Sequence, residues 1–193
     1  MCRDRFGVSA QWVVDPTFLL DIGDYDRLIA AADAGRGDDY ILTYVLDFAE
    51  DKARAATMVG ETLQMPVWSI KPHLPISQVP RRQHNSCRLV SVESWLRAFR
   101  NARFVVTDSF HGAVFSIIFN VPFIAVGNTA RGMARFELLL EQFGLKERLV
   151  VDTSALTSAL IATEIDWPKV NQRRQALAAE GRAFLARHLS DIS

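Results

Sequence analysis

Six consecutive residues, Thr107-Asp108-Ser109-Phe110-His111-Gly112, interrupt a strongly apolar stretch that runs from Ala102 to Val126. An imidazole titrates near neutrality and can give or take a proton at physiological pH. A carboxylate three residues away can orient it or act as a base, and a hydroxyl can bond an anion. Such a turn leads from an apolar strand into a helix. The first backbone N–H groups of a helix have no partner inside it, and the helix dipole adds partial positive charge there. Together these features make an anion site. His111 and Asp108 are therefore the candidate catalytic pair, and Ser109 and Gly112 the candidate substrate contacts, Gly112 because another group can approach its backbone closely. The same residues have a plainer reading. Asp108 or Ser109 serves equally well as an ordinary helix N-cap.

A second polar break, Gly127-Asn128-Thr129-Ala130-Arg131-Gly132, follows the next apolar run, and Arg135 lies just beyond it. If the two runs are neighbouring strands, Asn128, Arg131 and Arg135 share one edge with His111. Arginine binds carboxylate and phosphate through paired hydrogen bonds. A cation at a helix start is electrostatically unfavourable unless an anion sits nearby. Tyr44 and Asp47 end another apolar run and are weaker candidates for the same cleft; core packing is the simpler reading of Tyr44. His73 and His84 fall in a proline-containing stretch and read as solvent-facing. No phosphate-binding glycine motif, dinucleotide fingerprint, HExxH or GxSxG is present.

The elements that position these residues follow from periodicity. Runs at 40–47, 66–70, 104–108, 122–126 and 149–151 are continuous and apolar, as buried parallel strands are. Helices are expected at 24–33, 49–64, 91–102 with Ser91 as N-cap, and 110–120. A further helix carries Phe136, Leu139, Leu140 and Phe143 and ends at Gly144; two more span 153–163 and 167–189. The alternation predicts an α/β fold, a parallel sheet with helices on both faces. In such sheets ligands bind beyond the carboxyl ends of the strands, which is where Thr107 to Gly112 fall. Residues 71–90 form the longest irregular stretch. The expected organisation is a leading segment over 1–22, a Rossmann-like domain over 23–165 and a C-terminal helix over 166–193.

Bulk properties narrow the classes. The 193 residues carry 22 basic and 22 acidic side chains, so net charge gives no reason to expect nucleic acid. Cys2 and Cys87 have no metal-ligand spacing and form no disulfide framework, which fits a reducing cytoplasm. No apolar run is long enough for a membrane span. No metal or cofactor motif is present, so no cofactor is expected.

The ordered blocks FGVSAQWVVDPTFLL, YILTYVLD, TDSFHG, NVPFIAV and RF-x-x-LL-x-x-FGL-x-x-R resemble the polysaccharide pyruvyl transferase family over residues 6–150. The resemblance implies one half of a GT-B type two-domain glycosyltransferase fold, and transfer of the enolpyruvyl group of phosphoenolpyruvate onto two saccharide hydroxyls. The product is a cyclic pyruvate ketal of a surface polysaccharide or exopolysaccharide. The resemblance also implies that His111 contacts phosphoenolpyruvate, with Ser109 and the arginines after the next strand around its carboxylate and phosphate. Family members are nearly twice as long, and the matching region is their second half. The expectation is therefore a donor-side half, with the partner a complementing N-terminal domain or a second copy of the chain. Leu177, Phe184 and Leu185 of the final helix form the association surface in that case, or pack on the chain's own core. Two other readings compete: a nucleotide-sugar glycosyltransferase or epimerase of the same fold, and a non-catalytic half-enzyme.

Overall fold

The computed structural model describes residues 2–8, 10–32, 37, 39–47, 49–71, 80, 90–127 and 132–189. The strands are β1 (Ile41–Tyr44), β2 (Val67–Ser69), β3 (Phe104–Thr107), β4 (Phe123–Val126) and β5 (Leu149–Val150). The helices are α1 (Cys2–Phe6), α2 (Ile22–Ala30), α3 (Glu50–Leu63), α4 (Val92–Asn101), α5 (Phe110–Phe119), α6 (Met133–Phe143), α7 (Ser158–Ala162) and α8 (Trp167–Leu189). All strand pairs are parallel, in the order β2-β1-β3-β4-β5. The chain steps outward from β1 to β2 and then returns to the other side of β1 as β3, so the winding reverses between β1 and β3. The register sets Tyr44 beside Thr107 and Thr107 beside Ala125, which aligns the carboxyl ends of three strands.

Two apolar layers sandwich this sheet. On one face Leu42, Val105, Phe123 and Ala125 pack with α4, α5, α6 and α8. On the other, Ile41, Phe104, Val106, Ile124 and Val126 pack with Ala55, Ala56 and Val59 of α3 and Ile161 of α7. Both faces of β3 and β4 are therefore buried, which is why these strands are continuous apolar runs. Each fully buried Phe or Ile contributes about 1.5–3 kcal/mol of transfer free energy.

β1 stops at Tyr44, short of the Asp47 that its apolar run suggested. Beyond Tyr44 the backbone N–H groups of Leu46 and Asp47 leave the ladder and donate to the Asp108 carboxylate. The helix expected over 153–163 is broken into a 3-10 turn (Thr153–Ala155) and α7, because Thr157 starts a new N-cap that accepts from Leu160 N.

The segment before α2 contains a 3-10 turn (Pro16–Leu19), and its Phe18, with Val14 just before the turn, belongs to the main core. Helix α8 lies against it. A Cβ at Gly181 would meet Leu19 Cδ2 at 2.7 Å, and Arg182 donates to Leu19 O at 2.8 Å. Of the three apolar residues singled out in α8, Leu177 is buried in the core, whereas Leu185 is exposed and the Phe184 ring stacks on His188.

Candidate active site

The turn between β3 and α5 is held by its own side chains. Thr107 Oγ1 donates to Tyr44 O at 2.6 Å and accepts from Ser109 N at 3.0 Å. Ser109 is the N-cap of α5, with its Oγ 3.4 Å from Gly112 N. Gly112 is needed for packing: a Cβ there would sit 2.2 Å from Thr107 Oγ1. The close approach expected at Gly112 is thus made by Thr107 of the same turn.

Asp108 points inward. Its carboxylate accepts from Leu46 N at 2.5 Å, Asp47 N at 3.1 Å and Lys52 Nζ at 2.5 Å. Lys52 also donates to Asp47 O at 3.3 Å. The Lys52 and Asp108 side chains are only 6% and 1% exposed. Two charges taken so far out of water are tolerable only as a well-bonded pair. This pair clamps the loop after β1 and the start of α3 onto the β3–α5 turn, across the point where the winding reverses.

His111 points the other way and is half exposed. Its Nε2 lies 3.7 Å from Asp15 Oδ2, and its ring meets Phe110 edge-on at 5.5 Å. Arg135, in the first turn of α6, places its guanidinium 4.2 Å from the centre of the Phe110 ring. That is a cation–π contact and holds the charge in place. Next to these residues opens a cleft of about 170 Å³, walled by Trp12, Asp15, Phe110, Arg135, Leu138 and Gln142. The site thus offers an imidazole, a fixed guanidinium, a carboxylate and an aromatic wall at the carboxyl edge of the sheet. That set suits a small anion and proton transfer.

The structure brings His111, Phe110 and Arg135 together and sets Asp108 in a separate, buried contact network. Tyr44 packs edge-on against Trp95 and Phe99, and burial followed by the Asp108 charge raises its phenol pKa. Asn128 and Arg131 lie outside the described residues, as do His73, His84 and Cys87. Two residues of the site were not singled out from the sequence. Asp15 stands directly before Pro16, and Lys52 falls within the helix expected over 49–64. Arg148, the last residue of the RF-x-x-LL-x-x-FGL-x-x-R block, is fully buried and donates to Leu160 O at 3.2 Å and Thr163 O at 2.5 Å. Among the described residues no group of three His, Cys, Asp or Glu side chains could hold a metal ion. No helix among them is long and apolar enough to cross a membrane.

The family model for polysaccharide pyruvyl transferase matches residues 2–129. The chain belongs to the polysaccharide pyruvyl transferase family. The match takes in Asp15, Lys52 and the whole Thr107–Gly112 turn, and ends before Arg135. No curated protein matches the chain. A solved structure that resembles it is the glycotransferase of kitacinnamycin, at 15% identity and a TM-score of 0.50, over 78% of this chain. That likeness shows the Rossmann-like α/β fold, a parallel sheet with helices on both faces that resembles one half of a GT-B type glycosyltransferase. The chain spans 42% of the length of that glycotransferase.

Proposed function

We propose that this family member binds phosphoenolpyruvate at the start of α5 and serves transfer of its enolpyruvyl group to a saccharide. The observation that supports this most is the placement of His111. It stands half exposed at the first helical turn beyond β3, beside a cleft edged by Arg135, inside the stretch matched to the family.

In this reading His111 gives its proton to C3 of phosphoenolpyruvate, and C2 becomes electrophilic. A saccharide hydroxyl adds to C2 and its proton returns to the His111 imidazole. A second hydroxyl of the same saccharide then displaces phosphate, which leaves with that hydroxyl's proton, and closes the ketal, with the pyruvate methyl group carrying the proton added first. The unpaired N–H groups at the start of α5 and the guanidinium of Arg135 face the carboxylate and phosphate, where charge develops. Asn128 and Arg131 follow β4 in sequence and are proposed, from that position in the sequence alone, as further contacts of the same anion. Ser109 shapes the helix start as its cap. We assign Asp108 to holding the turn, since three donors already occupy its carboxylate.

Thermal unfolding tests the donor site. A ligand at one hundred times its dissociation constant stabilises the native state by about 2.7 kcal/mol. For a chain of this size that raises Tm by roughly 5–10 °C. Phosphoenolpyruvate should do so for the wild type and fail to do so for His111→Ala, while uridine diphosphate leaves Tm unchanged. Equal stabilisation of His111→Ala would remove His111 from the donor site.

A further inference from the structure

Asp15 reaches the site from a segment far from His111 in sequence, and its two oxygens have different partners. Oδ1 accepts from Thr17 N at 3.0 Å and from Thr17 Oγ1 at 2.7 Å, which caps the 3-10 turn. Oδ2 takes no part in that cap and lies 3.7 Å from His111 Nε2. The Asp15 side chain is only 17% exposed. Its backbone is anchored on both sides, by Val14 and Phe18 in the core and by the Tyr25 hydroxyl on Thr17 O at 2.7 Å. The charge of Asp15 is also felt on the core side of this segment: the Tyr25 phenol is pushed up to about 12, first by burial and then by Asp15 and Asp24.

Among the described residues, the charged groups this site offers are Asp15 from the leading segment, facing His111, and Arg135 of α6, stacked on the Phe110 ring that His111 meets edge-on. At 3.7 Å the carboxylate and imidazole are in contact at a separation longer than a tight hydrogen bond. A rigid anion on one side of a half-exposed ring restricts the ring's rotation and selects which nitrogen faces it.

We propose that Asp15 is the positioning residue of His111: Asp15 Oδ2 holds Nε2, and Nδ1 is the nitrogen presented to the substrate. The functional half of this statement rests on the reading that His111 meets phosphoenolpyruvate; the geometric half does not.

Two measurements on the full chain separate them. The first is the side-chain rotamer of His111, read from three-bond couplings by NMR. The wild type should show one rotamer, and Asp15→Ala should show averaging. Asp15→Asn keeps an acceptor for Thr17 and removes the charge, so it loosens the ring with the cap intact. An unchanged single rotamer in both variants would overturn the proposal. The second is a double-mutant cycle on phosphoenolpyruvate affinity. Asp15→Asn should weaken binding about five-fold when His111 is present and less than about two-fold in a His111→Ala background. Equal losses in both backgrounds would mean that Asp15 acts only on the fold, and would also overturn it. A wild type that binds no phosphoenolpyruvate defeats the donor reading and with it Asp15's service to the substrate, while the rotamer measurement still decides whether Asp15 holds the ring.

Discussion

The two sides of one turn behave differently. The inward side, Thr107, Asp108, Ser109 and Gly112, is buried and bonded to β1, to α3 and to itself. On the outward side Phe110 lines a cleft and meets Arg135 of α6, and the half-exposed His111 meets Asp15 of the segment before α2. The acid that lies closer to His111 in sequence, Asp108, is the one committed to architecture. The acid that faces the imidazole, Asp15, comes from 96 positions away. A motif of six residues therefore divides into a part that fixes geometry and a part free to meet a ligand.

Substitutions should respect that division. The largest stability losses fall on the buried ion pair. Asp108→Asn turns an amide donor toward Lys52 or a backbone N–H, and Lys52→Met strands the carboxylate; each should cost about 3–5 kcal/mol in denaturant unfolding. Gly112→Ala forces a methyl onto Thr107 Oγ1 and should cost roughly 1–3 kcal/mol. Part of that loss should return in the double variant with Thr107→Ala, because the shortest contact disappears.

Tyr25→Phe removes the bond to Thr17 O and should cost about 1 kcal/mol near neutrality. Its signature is at high pH. The Tyr25 phenol is raised from 10.0 to about 12 in the fold, so the folded state disfavours the phenolate. The stability from keeping it neutral is complete below pH 10 and is lost as pH rises toward 12. The wild type should therefore weaken steeply over that interval and Tyr25→Phe less so. Ser109→Ala comes next, at about 0.5–1 kcal/mol, since its capping contact is long. His111→Ala should change stability by less than about 0.5 kcal/mol, as befits an exposed side chain. If that substitution unfolds the protein as Asp108→Asn does, the two sides of the turn are not distinct.

Much of the scaffold is legible in the sequence, and particular residues show why. FVVT and FIAV have no polar face because helices cover both sides of the sheet, so the apolar runs themselves announce buried parallel strands. Ser91, Ser109 and Gly144 mark helix ends through local chemistry that needs no tertiary contact. The role of Asp108 is not legible in this way. Its partners at Leu46, Asp47 and Lys52 arrive only when β3 pairs with β1, and nothing local marks Lys52 for burial. The Asp15–His111 contact is hidden for the same reason, because it depends on how the leading segment crosses the end of β3. Gly112 is intermediate: the sequence announces a close approach, and the fold decides that Thr107 makes it.

In the proposed function the outward side of the turn receives phosphoenolpyruvate through His111. Calorimetric titration of the purified chain tests it most directly, beside His111→Ala and with uridine diphosphate as the competing ligand. Phosphoenolpyruvate should bind saturably and at least about ten-fold more weakly to His111→Ala, a loss of ~1.4 kcal/mol, and uridine diphosphate should not bind. Uridine diphosphate binding in place of phosphoenolpyruvate, or phosphoenolpyruvate binding indifferent to His111, would contradict it.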